Sequence, residues 1–342
     1  VVAMSAGSTR RRFILGSATA ALATIAGRQV PAAGTGDDAP LGPSLPTLTI
    51  DLWPAGAPGL PDRPLTETMV ERSTDASYAD RALTGISRPR LDVFKPYKPN
   101  GAAVMIIPGG SYQRVVIDKE GYELGRWLAG RGFTAFVLFY RLPGDGWAAG
   151  PDVALSDAQR ALRLIRYKAQ AFGIDAKRIG VVGFSAGGHL CADLATRFAT
   201  TTYDPVDEAD ELSARPLLAA PIYPVISMTA PVAHARSRAR LLGKNPGPEL
   251  ERKHSPQFNV SDTTPPCFLV HAEDDASVTV ENTLEFRAAL RAAGIPVETH
   301  LFTRGGHGFG LRKAAGKPAA IWPELFVNWS RSAGLDIGVH PE

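Results

Sequence analysis

Ser185 stands between two glycines in Gly183-Phe184-Ser185-Ala186-Gly187, directly after the apolar run Ile179–Val182 and before a helical pattern. A serine there can cap the helix. It can also stand as a nucleophile on a sharp strand-to-helix turn, where glycines let the two backbones close in. A hydroxyl is a weak nucleophile at neutral pH, so that second role needs an imidazole to take its proton and a carboxylate to hold the imidazole's tautomer. Both groups are available downstream. Asp274 and Asp275 follow the apolar run Cys267–Ala272 in HAEDDASV, and His307 lies in RGGHGFG after Val297–Phe302. The chain order Ser, Asp, His is one of the three orders in which this trio recurs.

The competing residues of each type sort by position. Asp275 lies three residues before the apolar Val278 and is the candidate acid; Asp274 is expected to cap the turn or accept local backbone donors. Among seven histidines, His189 is four residues beyond Ser185 on the same helix and is expected to be structural. His271 and His300 fall in strand patterns and should be packed, whereas His234, His254 and His340 lie in irregular segments and are expected to be solvent-exposed. Only His307 combines a loop after a strand with glycines that leave it room. The turn Pro108-Gly109-Gly110-Ser111 follows the apolar run Ala102–Ile107. Its amides at Gly110 and Ser111, with that of Ala186 just after the serine, are candidate donors to an oxyanion. Tyr112 is a candidate substrate contact, and Arg160 is expected to pair with Asp157 or a neighbour.

These residues need elements to hold them. Apolar, β-branched runs at LDVF, AAVMIIP, FTAFVLFY, RIGVVG, LLAAPIYP, PCFLVHA and VETHLF alternate with helical patterns at about 118–131, 152–172, 186–199, 280–293 and 319–333. Such strands are buried on both faces. Alternation with single helices predicts an α/β fold with a mostly parallel central sheet covered by helices on both faces, and a small cap or none. Ligands of such sheets gather beyond the carboxyl ends of the strands, where every candidate lies. The Pro- and charge-rich segments at about 200–215 and 228–264 read as loops beside that face.

Composition bounds the rest. The 342 residues are 44% apolar and 21% charged, which is ordinary for a globular chain. Arg10, Arg11 and Arg12 precede a charge-free Ala/Leu/Ile stretch, the pattern of a twin-arginine export signal. Residues 1–32 are therefore expected to be a signal peptide read by the twin-arginine machinery, 33–46 a linker, and 47–342 the catalytic domain, acting in the periplasm or outside the cell. Without Arg10, Arg11, Arg12 and Arg28 the formal charge of +3 becomes −1. The near-neutral remainder, with no basic run interleaved with aromatics, argues against nucleic acid, and no run is long enough to hold the mature form in a membrane. Cys191 and Cys267 lack histidines at ligand spacing and read as buried thiols; neither a metal nor a cofactor is expected.

The segments LWPAGAPG, PGGSYQRVVIDKEG, FVLFYRLP, DAQRALRLIRYKAQAFGID, VVGFSAGGHL, ARPLLAAPIYPVISM, PPCFLVHAEDDASVTVENTLEF and RGGHGFGL occur in this order from about Asp51 to Leu335. Together they resemble the bacterial acetyl xylan esterase-like family of the α/β hydrolases, some of whose members carry the name endo-1,4-beta-xylanase. The resemblance implies Ser185 as nucleophile, Asp275 as acid, His307 as base, and the amides of Gly110 and Ala186 as oxyanion donors. It further implies hydrolysis of acetyl esters, with a small-molecule or oligosaccharide substrate such as acetylated xylan. Ser111 departs from the family, which usually has a third glycine there, so its part in the oxyanion hole depends on the backbone a serine can adopt. A glycosidase would need two carboxylates flanking a sugar cleft, which this trio does not supply. A carboxylesterase or lipase of wider acyl range would share every catalytic residue. A serine aminopeptidase would need acidic residues near the pocket, for which Glu120 and 207–211 are the candidates. A non-catalytic binding protein would be expected to lack a member of the trio.

Overall fold

The computed structural model describes residues 42–336. Eight strands form the central sheet: β1 (Leu48–Asp51), β2 (Arg90–Phe94), β3 (Ala103–Ile107), β4 (Thr134–Phe139), β5 (Ile179–Phe184), β6 (Leu218–Ile222), β7 (Cys267–Ala272) and β8 (Val297–Phe302). Their spatial order is β1-β2-β4-β3-β5-β6-β7-β8. β1 is antiparallel to β2 and β2 to β4, while all later neighbours run parallel. Parallel pairing demands long crossovers. These are supplied by α1 (Glu123–Gly130), α2 (Val153–Tyr167), α3 (Ala186–Arg197) and α5 (Glu281–Ala292), with α4 (Ala235–Leu242) in the long excursion before β7 and α6 (Trp322–Ser332) after β8.

β3 through β7 are buried along their whole length, which matches their predominantly apolar content. Each such side chain contributes about 1.5–3 kcal/mol on full burial. β8 differs: as the edge strand it is half-buried along its length, with Leu301 exposed, and it carries the polar residues Glu298, Thr299 and His300. The parallel block is as the sequence predicts. A second, three-stranded antiparallel sheet (Thr68–Glu71, Arg81–Thr84 and Val115–Val116) has no periodic signal strong enough to be predicted, because its strands are two to four residues long.

The strand order reverses at β3, whose successor lies on one side of it and β5 on the other. Loops leaving the carboxyl ends of β3 and β5 therefore diverge and open a crevice. Register brings those ends level, with Ile107 opposite Gly183, and likewise Ala272 of β7 opposite Phe302 of β8. The four candidate loops thus emerge on one rim.

Several side chains sit elsewhere than expected. His254 is fully buried, not exposed, because the excursion carrying it folds back onto α3, where its carbonyl lies 2.7 Å from His189 Nε2. His234 is half-buried with Nδ1 2.8 Å from Ser237 Oγ. Arg160 pairs with Asp207 and Asp210, at 2.6 and 3.0 Å, while Asp157 is taken by Arg141 and the Trp53 indole. Cys191 and Cys267 are buried free thiols, and burial pushes Cys191 up to about 12. Residues 1–41, with the expected signal peptide and most of the linker, and His340 lie outside the described residues. Gly42, inside the expected linker, is buried and donates its N–H to the Arg126 carbonyl at 3.0 Å.

Candidate active site

Ser185 directly follows β5 with φ +54° and ψ −117°, a conformation L-residues avoid, and its side chain caps nothing. Close packing enforces the bend. A Cβ at Gly183 would fall 2.2 Å from the Gly187 carbonyl oxygen, and one at Gly187 would fall 2.2 Å from that of Ile107. Both flanking glycines are thus required by steric contact.

Ser185 Oγ lies 2.8 Å from His307 Nε2, and His307 Nδ1 lies 2.7 Å from Asp275 Oδ2. Asp275 is buried, and its Oδ1 accepts the N–H groups of Ser277 and Val278, each at 2.9 Å. Burial pushes its pKa upward, but hydrogen bonds from His271 and His307, the His307 charge and the Val278 amide hold it well below the usual range. The carboxylate therefore stays ionised and fixes His307 with Nε2 facing the serine. Asp274 serves the loop and not the imidazole. Its Oδ1 accepts the amides of Gly305 and Gly306, at 2.8 and 2.7 Å, and pins the segment that presents His307.

The turn after β3 packs directly on the serine, since a Cβ at Gly109 would sit 2.9 Å from that of Ser185. Gly110 has φ +133°, and Ser111 and Tyr112 follow at +59° and +56°. Ser111 thus has the positive φ that glycine enters without cost and a serine does not. Gly110 and Ser111 line a cleft of about 340 Å³ together with Ser185 and His307. Ala186 is the first residue of α3, so its amide has no intrahelical acceptor.

Tyr112 is not a substrate contact. Its side chain is 1% exposed, and its hydroxyl lies 2.7 Å from His189 Nδ1, so it braces the turn against α3. Nor do the acidic residues suited to a peptide amine serve that purpose: Asp207 and Asp210 are engaged by Arg160. Glu120 does border the cleft, but it is buried and structural. Its Oε2 accepts the Gly109 amide at 3.0 Å, and its Oε1 accepts the Tyr223 hydroxyl at 3.1 Å. Tyr223 Oη in turn accepts the Gly310 amide at 3.1 Å, and its ring lies 5.3 Å from that of His307. Glu120 and Tyr223 thus tie the glycine turn to the histidine loop. Sequence reasoning did not find this bridge, because it joins segments 103 residues apart, nor the contact of His271 Nε2 with Asp275 Oδ2 at 3.3 Å, because the strand pattern around His271 marks it only as packed. Among the described residues, no group of three or more His, Cys, Asp or Glu could hold a metal ion.

Residues 91–290 match the BD-FAE family model. The chain is 34% identical over 234 residues to an acetylxylan esterase of Xylanibacter ruminicola, covering 67% of this chain and 45% of that protein. It is 37% identical over 227 residues to the endo-1,4-beta-xylanase B of Butyrivibrio fibrisolvens, covering 66% and 34%. This chain therefore spans less than half the length of either. A solved acetyl ester-xyloside bifunctional hydrolase from Caldicellulosiruptor lactoaceticus is 36% identical and superposes with a TM-score of 0.69 over 84% of this chain and 97% of its own. The chain belongs to the BD-FAE family of α/β hydrolases.

Proposed function

We propose that this chain is a serine esterase that removes short acyl groups, acetyl foremost, from carbohydrate esters such as acetylated xylo-oligosaccharides. The observation that carries this is the unbroken path from Ser185 Oγ through His307 to buried Asp275, set beside the Gly110–Ser111 turn. His307 Nε2 takes the serine proton as Oγ attacks the ester carbonyl, and the oxyanion forms toward the amides of Gly110, Ser111 and Ala186. The tetrahedral intermediate collapses, His307 passes its proton to the departing alcohol, and the acyl group remains on Ser185. Water, deprotonated by His307, then releases the acid. A cleft of about 340 Å³ suits a small acyl group. The names of the relatives favour acetyl esters and xylan fragments.

The test is acetate release from acetylated xylo-oligosaccharides beside acetyl, butyryl and octanoyl p-nitrophenyl esters. Ser185→Ala is expected to lower turnover by about 10³ to 10⁶-fold with the fold intact. Near-native activity in that variant removes the assignment. Turnover of octanoyl esters alone replaces it with a carboxylesterase of wide acyl range. We also infer export by the twin-arginine route, supported by the run Arg10-Arg11-Arg12. Changing Arg10 and Arg11 together to Lys should leave the protein in the cytoplasmic fraction, and unchanged periplasmic recovery refutes this.

A further inference from the structure

The cleft around Ser185 carries more positive charge than acyl transfer needs. Arg72, Arg114, Lys119, Arg236 and Lys313 line it, against the single carboxylate of Glu120, which already holds Gly109 and Tyr223. Arg72 has a partner, Asp80 at 3.3 Å. Lys119 is more than nine-tenths buried, yet among the described residues its ammonium makes no hydrogen bond, and its nearest carboxylate oxygen, Glu120 Oε1, is 4.0 Å away. Arg114, Arg236 and Lys313 have no carboxylate within 4.0 Å among the described residues. Burial, reinforced by the nearby charges of Arg72, Arg236 and Arg240, depresses the Arg114 pKa. Like charges gathered without counter-ions oppose folding. A basic protein overall is not the reason, since the formal charge is −1 without the four arginines of the expected signal.

The placement says which part of a substrate meets this field. His307 gives its proton to the departing alcohol, so the alcohol portion lies on the His307 side. Lys119 Nζ lies 3.1 Å from where a Cβ of Gly308 would be, beside His307, and Arg236 and Lys313 border the same cleft. Arg114 Cγ lies 2.8 Å from the Cβ position of Gly110, at the oxyanion turn. We propose that the alcohol portion of the ester carries a carboxylate, as in an acetylated saccharide with a uronic acid unit, and that Lys119, Arg236, Lys313 and Arg114 bind it. This rests on the esterase reading above and narrows its substrate class. Guanidinium and ammonium groups recognise a carboxylate by charge-assisted hydrogen bonds, and the summed field concentrates the anion before contact.

The experiment compares wild-type kcat/KM on acetylated xylo-oligosaccharides with and without a uronic acid side unit, at about 0.01 M and about 1 M salt, between which the Debye length falls from about 30 to about 3 Å. The acidic substrate should be preferred by about tenfold or more at low salt, through KM, and the preference should collapse at high salt. Arg236→Gln and Arg114→Gln should each lower the ratio of acidic to neutral turnover. Equal turnover of both substrates at low salt, or a preference unaffected by salt, overturns the proposal without needing a variant. Mono-p-nitrophenyl succinate places the carboxylate on the acyl side; selective salt-sensitive turnover of that ester, with no uronate preference, also overturns it. Loss of p-nitrophenyl acetate hydrolysis in Ser185→Ala shows separately whether the esterase reading stands.

Discussion

Asp275 is engaged on both oxygens: two backbone amides meet Oδ1, while His307 and His271 meet Oδ2 at 2.7 and 3.3 Å. Asp275→Asn removes the ionised acceptor and offers an amide that can satisfy His307 only with the wrong tautomer. The expected result is a kcat about 10⁴-fold lower with little change in KM. Asp274→Asn keeps an oxygen for the Gly305 and Gly306 amides and should lose less than about tenfold. Steady-state kinetics on p-nitrophenyl acetate decides between them, and the opposite ranking would exchange their roles. These aspartates could be told apart in sequence because the three-residue step to Val278 is local. His271 could not be linked to them, since its strand pattern says only that it is packed. Its Nδ1 is 2.7 Å from Thr283 Oγ1 on α5 and its Nε2 is 3.0 Å from the Val278 carbonyl, an arrangement that leaves Nε2 3.3 Å from the carboxylate.

At the scale of elements, the site depends on two loops being held in register by one buried pair. Glu120 anchors the turn after β3, and Tyr223, just beyond β6, reaches from Glu120 to the Gly310 amide. Tyr223→Phe keeps the ring contacts with His307 and Phe309 but leaves a buried carboxylate oxygen and a buried amide unpaired. A stability loss of about 1–3 kcal/mol is expected, together with a fall in kcat that exceeds any change in KM. Chemical denaturation and kinetics on one preparation check both; a destabilised variant with unaltered kcat would show that the bridge is structural only. The strands on either side were legible as apolar runs, and α2, α3, α5 and α6 as amphipathic periods between them. The bridge was not, because a pairing 103 residues apart leaves no periodic trace. The same holds for the cationic cleft, whose residues come from separate segments.

For the molecule as a whole, two buried histidines set the response to acid. Burial lowers the pKa of His189, and lowers His254 to about 4, against an ordinary value near 6.5. Both are depressed, so the unfolded chain takes up these protons first. The stability contributed by these two rings should be complete above about pH 6.5 and fall toward pH 4, by an amount on the order of 3 kcal/mol for His254 alone. Glu123, raised by burial to about 7, acts with the opposite sign over the same window. Urea midpoints from about pH 7.5 to about 4.5 are therefore compared between wild type and His254→Gln, and an identical pH slope in the two would mean that the His254 ring is not held neutral. The expectation that His254 is exposed fails for a reason of scale. Its segment is irregular and polar in sequence, and only the folded excursion before β7 lays it against Arg197, Asp193 and His189. Ser185 has a further consequence of this kind. Its backbone angles suit glycine better than any side-chain-bearing residue, so the position that chemistry requires is one where heat resistance is forgone. Ser185→Gly and Ser185→Ala both abolish the hydroxyl, yet the glycine variant should outlast the alanine one on heating by about 1 kcal/mol. Improving thermal endurance at the elbow and preserving the proposed turnover are therefore opposed aims in this protein.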